Sequence, residues 1–354
     1  MRWYEITITD PAQPSVAPQV YTSWVNGQND PGALNVNFDF NVAPYSTPLG
    51  AHTVEIWGIP LKSISWATNL TYKNVSIKAG FKPGLPLATV ASRYQSGPII
   101  NGFILQSFGN WIGNNMTLNL IIASGPAPVL AASPTTAGQA ASTASASAQP
   151  PLGSPETPVN FTLDMPQGMT MATALENSLS AALPSFTRKI NIRDIIAPRG
   201  LYETARSISE LAQKVKQISK EIIGGDYTGV EIGQIGGNRT IRVYDGSNPG
   251  QVKQIDFKDL IGQPTWIEPF KIQFKCPMRA DLDIGDIIEM PKNETAGFYG
   301  VMPNNALSIA NYRNQSAQLG TYYIDTLRHV GNFRQPDANS WATIVTCGKF
   351  RGRT

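Results

Sequence analysis

The chain has 354 residues, of which 42% are apolar and only 15% are charged, and its formal net charge is +3. This composition excludes a disordered polyelectrolyte and a membrane protein, and so small a net charge gives no basis for nucleic-acid binding. The 31 glycines and 27 prolines favour a β-rich, turn-rich protein whose uncharged surfaces are covered by neighbours.

The first region alternates as strands do. In residues 34–40 every second residue is apolar, residues 52–61 alternate until a Gly-x-Pro break, and residues 115–123 end as a continuous apolar run. Asn-Gly at 26–27 and at 101–102, and Gly-Asn-Asn at 113–115, predict turns, and the spacing in 85–94 predicts one short helix. Short strands separated by turns predict a closed barrel or a sandwich.

A linker divides the chain. Residues 124–158 carry one charge and no aromatic residue, and they are almost wholly Ala, Ser, Thr, Pro and Gly. Such a segment buries too little apolar area to offset its ordering entropy, which indicates a flexible tether, with an adhesive or glycosylated tract as the alternative. Of the 53 charged residues, 41 follow residue 158.

The middle region changes to a helical period. Residues 170–183 predict a helix with Thr170 as its N-cap and Pro184 as its end. Residues 201–222 carry one long apolar stripe and predict the strongest helix, which ends at the pair of glycines 224–225.

The last third returns to strands. Residues 230–246 predict a hairpin, and further strands are predicted at 271–276, 285–290, 321–330 and 340–347. The fold class is therefore mainly β with α+β elements: two β-barrel domains plus a helical α/β part, joined by a low-complexity linker. The predicted division is an N-terminal β-barrel-like domain, the linker, a helix-containing α/β domain and a C-terminal β-barrel-like domain, at 1–123, 124–158, 159–228 and 229–354.

Catalytic, cofactor and metal sites are not indicated. The sequence has no Walker loop, no Rossmann fingerprint and no nucleophile elbow, and the only two histidines, His52 and His329, are interpreted as structural. The best metal candidate is the run of Asp281, Asp283 and Asp286, but it lacks the EF-hand order, so a turn with a solvated acidic edge is favoured. We therefore assign no site residues and no cofactor, and we expect no enzyme.

The cysteines and the first segment argue against a disulfide scaffold, a zinc site and a signal peptide. Cys276 and Cys347 are too few for a disulfide scaffold, and no zinc spacing joins them to a histidine. The first ten residues lack the core of a signal peptide, and no run reaches 18 apolar residues. We therefore expect synthesis in a reducing cytoplasm and no membrane anchor.

Nucleic-acid contact has weak support. Residues 188–220 hold eight basic side chains against three acids, which on a helix face indicates solvation or docking of an acidic neighbour. The basic C-terminus, 349–354, is short, and the aromatic residues Trp266, Trp341 and Tyr322–Tyr323 lie in strand patterns that pack cores.

Beyond these patterns the sequence resembles a known family. Residues 320–350 end on a strand, a Gly-x-x-Arg turn and a Ser-Trp-x-Thr strand, and are similar to the end of baseplate or tail hub proteins of contractile-tailed bacteriophages. The N-terminal half of type VI secretion spike proteins is built alike. The other segments with this resemblance are 79–88, 108–125, 241–246, 259–267 and 285–291.

The resemblance implies a structural hub. In that family three copies form a ring whose six barrels give pseudo-sixfold symmetry, and the ring joins a hexameric tail tube to a trimeric spike. The implied partners are two further copies of the chain, the tail tube or a tube-initiator protein, the central spike, other baseplate proteins, and DNA or tape-measure protein in transit. The implied location is the virion tail baseplate, assembled in the host cytoplasm. Two alternatives stay open: a tail-associated peptidoglycan hydrolase and a host-glycan-binding module.

Overall fold

The computed structural model describes residues 1–47, 52–85, 95–124, 160–235, 239–247, 251–268, 271–290 and 320–349. The first region contains β1 (Arg2–Thr9), β2 (Gln19–Thr22), β3 (Trp24–Val25), β4 (Gln28–Asn29), β5 (Asn35–Val42), β6 (His52–Trp57), α1 (Leu61–Ser65), β7 (Asn74–Phe81), β8 (Ser96–Ile112) and β9 (Asn115–Ser124). The middle region contains β10 (Phe161–Met165), α2 (Met171–Ala182), β11 (Thr187–Asn191), β12 (Leu201–Ala205), α3 (Ile208–Ile223), β13 (Glu231–Gln234) and β14 (Thr240–Tyr244). The last region contains β15 (Lys253–Gln254), β16 (Thr265–Glu268), β17 (Lys271–Pro277), β18 (Ile287–Glu289), β19 (Thr321–Asn332) and β20 (Trp341–Lys349).

One large sheet runs through the first and the last regions. Its main path is β16-β17-β20-β19-β5-β6-β9-β8-β7-β1-β2, with β15 and β18 attached beside β19. Every neighbouring pair on this path is antiparallel. Among the described strands this path stays open, and β16 and β2 are its two ends. The fold is therefore mainly β, as predicted.

Each region has its own apolar core. The alternation predicted for β5 and β6 is confirmed, because Val36, Phe38, Phe40, Val54 and Ile56 are all buried on one face. The core of the last region is built from the inward residues of the strands from β17 to β20 together with Tyr244 and Leu282. The two cores lie along the same sheet because β5 pairs with β19.

The middle region packs two helices against short strands. Helix α2 begins at Thr170, whose side chain accepts a hydrogen bond from the Thr173 N–H, as the sequence predicted. Helix α3 begins at Ser207, whose side chain accepts from the Glu210 N–H, and it ends at Gly224 with a φ of 73°. The predicted hairpin is present as the antiparallel pair of β13 and β14.

Two local predictions were wrong. Residues 201–205 are a strand rather than the first turns of α3, because they pair with β10 and Ser207 starts the helix later. Asn101-Gly102 is not a turn and lies inside β8. A Cβ on residue 102 would lie 1.9 Å from the carbonyl oxygen of Ala123, so only a glycine allows β9 to approach this closely. The turns at 26–27 and 113–114 are confirmed, with Asn26, Gly27 and Gly113 at positive φ.

Some predictions fall on residues that the structure does not describe. They include the helix at 85–94, of which only residue 85 is described, and the linker at 124–158, of which only residue 124 is described. They also include the basic tail after residue 349. These stay predictions.

Candidate interaction surface

The two histidines are structural, as interpreted from the sequence. The imidazole Nδ1 of His329 lies 2.9 Å from the hydroxyl of Thr343, and the ring is buried in the sheet. His329 pairs across the strands with Phe40, whose ring packs edge-on against His52. Burial lowers the pKa of both histidines, that of His329 to about 4. Both imidazole rings are therefore neutral. His329, Phe40 and His52 form a row of rings that joins the last region to the first.

This row predicts that acid destabilises the fold. Histidine has a pKa of about 6.5 when unfolded, so the unfolded chain binds the proton more readily than His329, whose folded pKa is about 4. The stability contribution is complete above pH 6.5 and is lost as the pH falls towards 4. At pH 5 the loss amounts to about 2 kcal/mol. We expect urea unfolding to show this loss between pH 7.5 and pH 5, and His329→Gln to show a shallower one. Equal pH slopes for the two proteins would contradict the assignment.

The acidic run is neutralised rather than solvated. Asp281 accepts two hydrogen bonds from the guanidinium of Arg279, and Asp286 pairs with Arg242 at 2.7 Å and with Lys253 at 2.6 Å. The predicted solvated edge is therefore corrected: Arg279 from the same segment holds Asp281, and Arg242 of β14 and Lys253 of β15 hold Asp286. In the described part of the chain, no group of three or more metal-ligating side chains comes together.

The cysteine strands lie side by side, but the thiols do not meet. On the paired strands β17 and β20, Cys276 lies opposite Thr343 and Cys347 lies opposite Ile272. The two cysteines are thus four residues out of register, or roughly 13 Å along the strands. Burial raises the pKa of Cys276 to about 12, so this thiol stays protonated at neutral pH.

Much of the basic charge of the middle region is paired locally. Four of the eight basic side chains in residues 188–220 form ion pairs with acids of the same region: Arg188, Arg193, Lys214 and Lys216. Arg193 pairs with Asp245, whose side chain is fully buried. These pairs reduce the positive potential that a phosphate backbone would meet.

The aromatic residues of the last region pack cores, as predicted. Trp341 and Tyr322 are fully buried, and Trp266 packs partly buried against the same core as Tyr322. The ring of Tyr323 fills the space beside Gly348, where a Cβ would lie 2.6 Å from it. These four side chains therefore do not form a stacking platform for bases.

The outward face of the large sheet is mostly polar. On β5 the residues between the buried ones are Asn35, Asn37, Asp39 and Asn41, and on β6 they include Thr53 and Glu55. Asp39 is neutralised by Arg328, whose guanidinium donates to it at 2.8 Å. This face carries few free charges, so a neighbouring protein can cover it at a low desolvation cost.

The feature that sequence reasoning missed is an apolar hairpin. Strand β8 continues beyond the end of its pairing with β7 at Phe103, and the β8–β9 hairpin runs past the last β6 pair, Trp57 with Thr117, to the turn at Gly113. Residues 105–116 are called the hairpin arm below. Trp111 and Ile112 at its tip are 63% and 75% exposed, and Phe108 is exposed as well. Two consecutive large apolar residues before a glycine turn were the available signal, but alternation alone cannot tell an exposed pair from a buried one.

Helix α1 enlarges this apolar surface. Gly109 of the arm packs against Ile64 of α1, where an added Cβ would lie 2.3 Å from the isoleucine side chain. Leu61 of α1 and Trp66 just after it are both exposed. The arm and α1 together therefore present the candidate interaction surface, whose large exposed apolar side chains are Leu61, Trp66, Leu105, Phe108, Trp111 and Ile112.

Helices of membrane-spanning length and apolarity are not found in the described part of the chain. Comparison with family models gives no match, and comparison with curated proteins gives none either.

Comparison with solved structures gives alignments that span nearly the whole chain at low identity. A tail protein from Neisseria meningitidis MC58 aligns with a TM-score of 0.45 and 9% identity, covering 98% of this chain and 96% of that one. The 43 kDa tail protein of prophage MuSo2 from Shewanella oneidensis aligns with a TM-score of 0.46 and 6% identity, covering 99% and 98%. A chain of the Francisella PdpA–VgrG complex aligns with a TM-score of 0.44 and 6% identity, and the alignment covers 99% of this chain and 58% of that one.

Proposed function

We propose that this chain is a structural hub of a phage tail baseplate, in which three copies form a ring between a sixfold tail tube and a trimeric spike. The chain acts through assembly and catalyses no reaction. Two β cores in each chain give a trimer six β units, and the trimer as a whole matches a threefold partner. DNA or tape-measure protein passes through the ring, and the virion tail is its location, after assembly in the host cytoplasm.

The observation that carries this proposal is the joining of two β cores into one sheet. The core of the first region and the core of the last region share the sheet through β5 and β19. A symmetry adaptor needs its two β units held at a fixed relation, since each must meet the same sixfold surface. One continuous sheet supplies that rigidity.

The stretch with the strongest family resemblance builds this join. Gly331 leaves room for the ring of Phe38, since a Cβ there would lie 2.3 Å from it. Arg334 donates to the carbonyl oxygen of Pro31 at 2.9 Å, and the indole of Trp341 donates to that of Gly80 at 2.9 Å. The glycine, arginine and tryptophan of the motif thus each hold the last region onto the first.

Light scattering on the purified chain tests the ring. We expect a mass three times that of the 38.3 kDa chain, independent of the protein concentration above the dissociation constant. Mixing with the cognate spike protein is expected to give a complex of three chains of each kind. A strict monomer both alone and in that mixture would rule out the proposed adaptor.

A further inference from the structure

The hairpin arm exposes apolar side chains on both of its faces. Trp111 lies on the face of β8 that continues from Gly109 and α1, because residues two apart on a strand share a face. Phe108 and Ile112 lie on the opposite face. A surface that is apolar on one side is covered by a single contact, whereas an arm that is apolar on both sides needs a partner that encloses it.

The arm itself carries no charge, whereas α1 beside it carries Lys62. Residues 94–155 contain no Asp, Glu, Lys, Arg or His, so the whole of β8 and β9 is uncharged. Isolated exposed apolar residues are common, but four large ones on an uncharged hairpin, Leu105, Phe108, Trp111 and Ile112, mark an interaction site. The surface that covers the arm is expected to be apolar and uncharged as well.

The arm is held in place before any partner binds. The hydroxyl of Ser107 donates to the Ala67 carbonyl at 2.6 Å, and the indole of Trp111 donates to the Gly113 carbonyl at 2.8 Å. The backbone N–H of Tyr72 also donates to the carbonyl oxygen of Ile104 at the base of the arm. Such preorganisation lowers the entropy cost of docking.

The area of this surface fits a stable protein contact. Large apolar side chains offer roughly 200 Å² each, so the exposed fractions of the six amount to about 650 Å². A standard interface buries about 800 Å² on each partner. The arm and α1 therefore come close to supplying one complete side of such an interface.

The same chain offers a surface of matching chemistry. Residues 11–29 also lack any charge, and Val16, Val20 and Val25 within them are exposed. Val20 lies on β2, the end strand of the large sheet among the described strands. A head-to-tail contact between identical chains requires two different, complementary patches. Repetition of that contact closes a ring of three when each copy is rotated by about 120° from the next.

We propose that the hairpin arm of one copy docks on residues 11–29 of a second copy of this chain. This inference rests on the proposed ring and names the contact that closes it. The uncharged apolar tip of the arm, Trp111 and Ile112, is buried by the exposed valines of its neighbour. Each chain gives one arm and receives one, so three copies use every arm.

Paired substitutions test the contact. The double variant Trp111→Ser/Ile112→Ser removes the apolar tip, and Tyr202→Ser/Ile196→Ser removes two similarly exposed apolar side chains from the middle region as the control. Light scattering over a range of concentrations is expected to show a trimer for the wild type and the control. The arm variant is expected to associate at least tenfold more weakly, with an unchanged far-ultraviolet circular dichroism spectrum.

The outcomes separate this inference from the proposed function. An arm variant that trimerises with wild-type strength overturns the arm contact and leaves the ring intact. A wild-type chain that is monomeric at every concentration, both alone and with the cognate spike, overturns both. If the arm variant misfolds, benzoylphenylalanine at position 111 of the wild-type chain replaces it: photo-cross-links to residues 11–29 of a second copy are expected, and cross-links only elsewhere overturn the contact.

Discussion

Replacement of Arg279 by methionine is expected to lower the free energy of unfolding by about 3–5 kcal/mol, the usual cost of breaking a buried ion pair. Arg279 is 4% exposed, and its guanidinium donates to both oxygens of Asp281 at 2.9 and 2.7 Å. A third contact, at 3.9 Å, reaches the carboxylate of Asp259, which is also buried. Methionine keeps much of the side-chain volume but leaves two carboxylates without this cation.

The matched control is Arg328→Met. Arg328 also donates two hydrogen bonds to one aspartate, Asp39, but both side chains are about half exposed to solvent. An exposed pair contributes about 0–1 kcal/mol, so urea unfolding followed by circular dichroism is expected to separate the two variants clearly. Equal losses in the two variants would show that burial does not govern the Arg279 cluster.

Period and capping chemistry predicted strands β5 and β6 and the start of α2 at Thr170. The stripe of α3 from Ile208 onwards was visible because its apolar residues recur every three or four positions. The same period continued by chance into 201–205, where pairing with β10 decides the conformation instead. A local pattern cannot report a partner strand about forty residues away in sequence.

Strand β1 shows a signal that was present and not used. Its residues Tyr4, Ile6 and Ile8 alternate and are buried, yet the segment was considered only for a signal peptide. The neutralisation of Asp286 is different, because Arg242 and Lys253 reach it from other strands. The spacing of residues in the sequence does not show that Arg242 and Lys253 come close to Asp286, because this proximity depends on how the strands pair.

The hairpin arm falls between these two cases. Its uncharged sequence and the pair Trp111-Ile112 before Gly113 could be read directly. Their exposure could not, because it depends on where β7 and β6 stop pairing with β8 and β9. Interaction surfaces of this kind use the same residue types as cores, and only the tertiary structure distinguishes the two.

Replacement of Trp341 by alanine is expected to destabilise the join between the two β cores by about 3–5 kcal/mol, the usual loss for a buried tryptophan. The ring is 1% exposed and packs edge-on against Phe38 at 5.2 Å and against Phe333 at 6.1 Å. Its indole N–H donates to the carbonyl of Gly80 on β7, so one side chain links β20 to a strand of the first region.

Trp341→Phe separates packing from the hydrogen bond. Phenylalanine keeps a ring against Phe38 but leaves the Gly80 carbonyl without its indole donor, which costs about 1–3 kcal/mol for a buried acceptor. Urea unfolding should therefore rank wild type above Trp341→Phe and Trp341→Ala last. Hydrogen exchange should rise in both β7 and β20 of the alanine variant, because the side chain stabilises the two strands together. If exchange rose in β20 alone, Trp341 would be a core residue of the last region only, and the rigid join that an adaptor requires would have to come from the β5–β19 pairing without it.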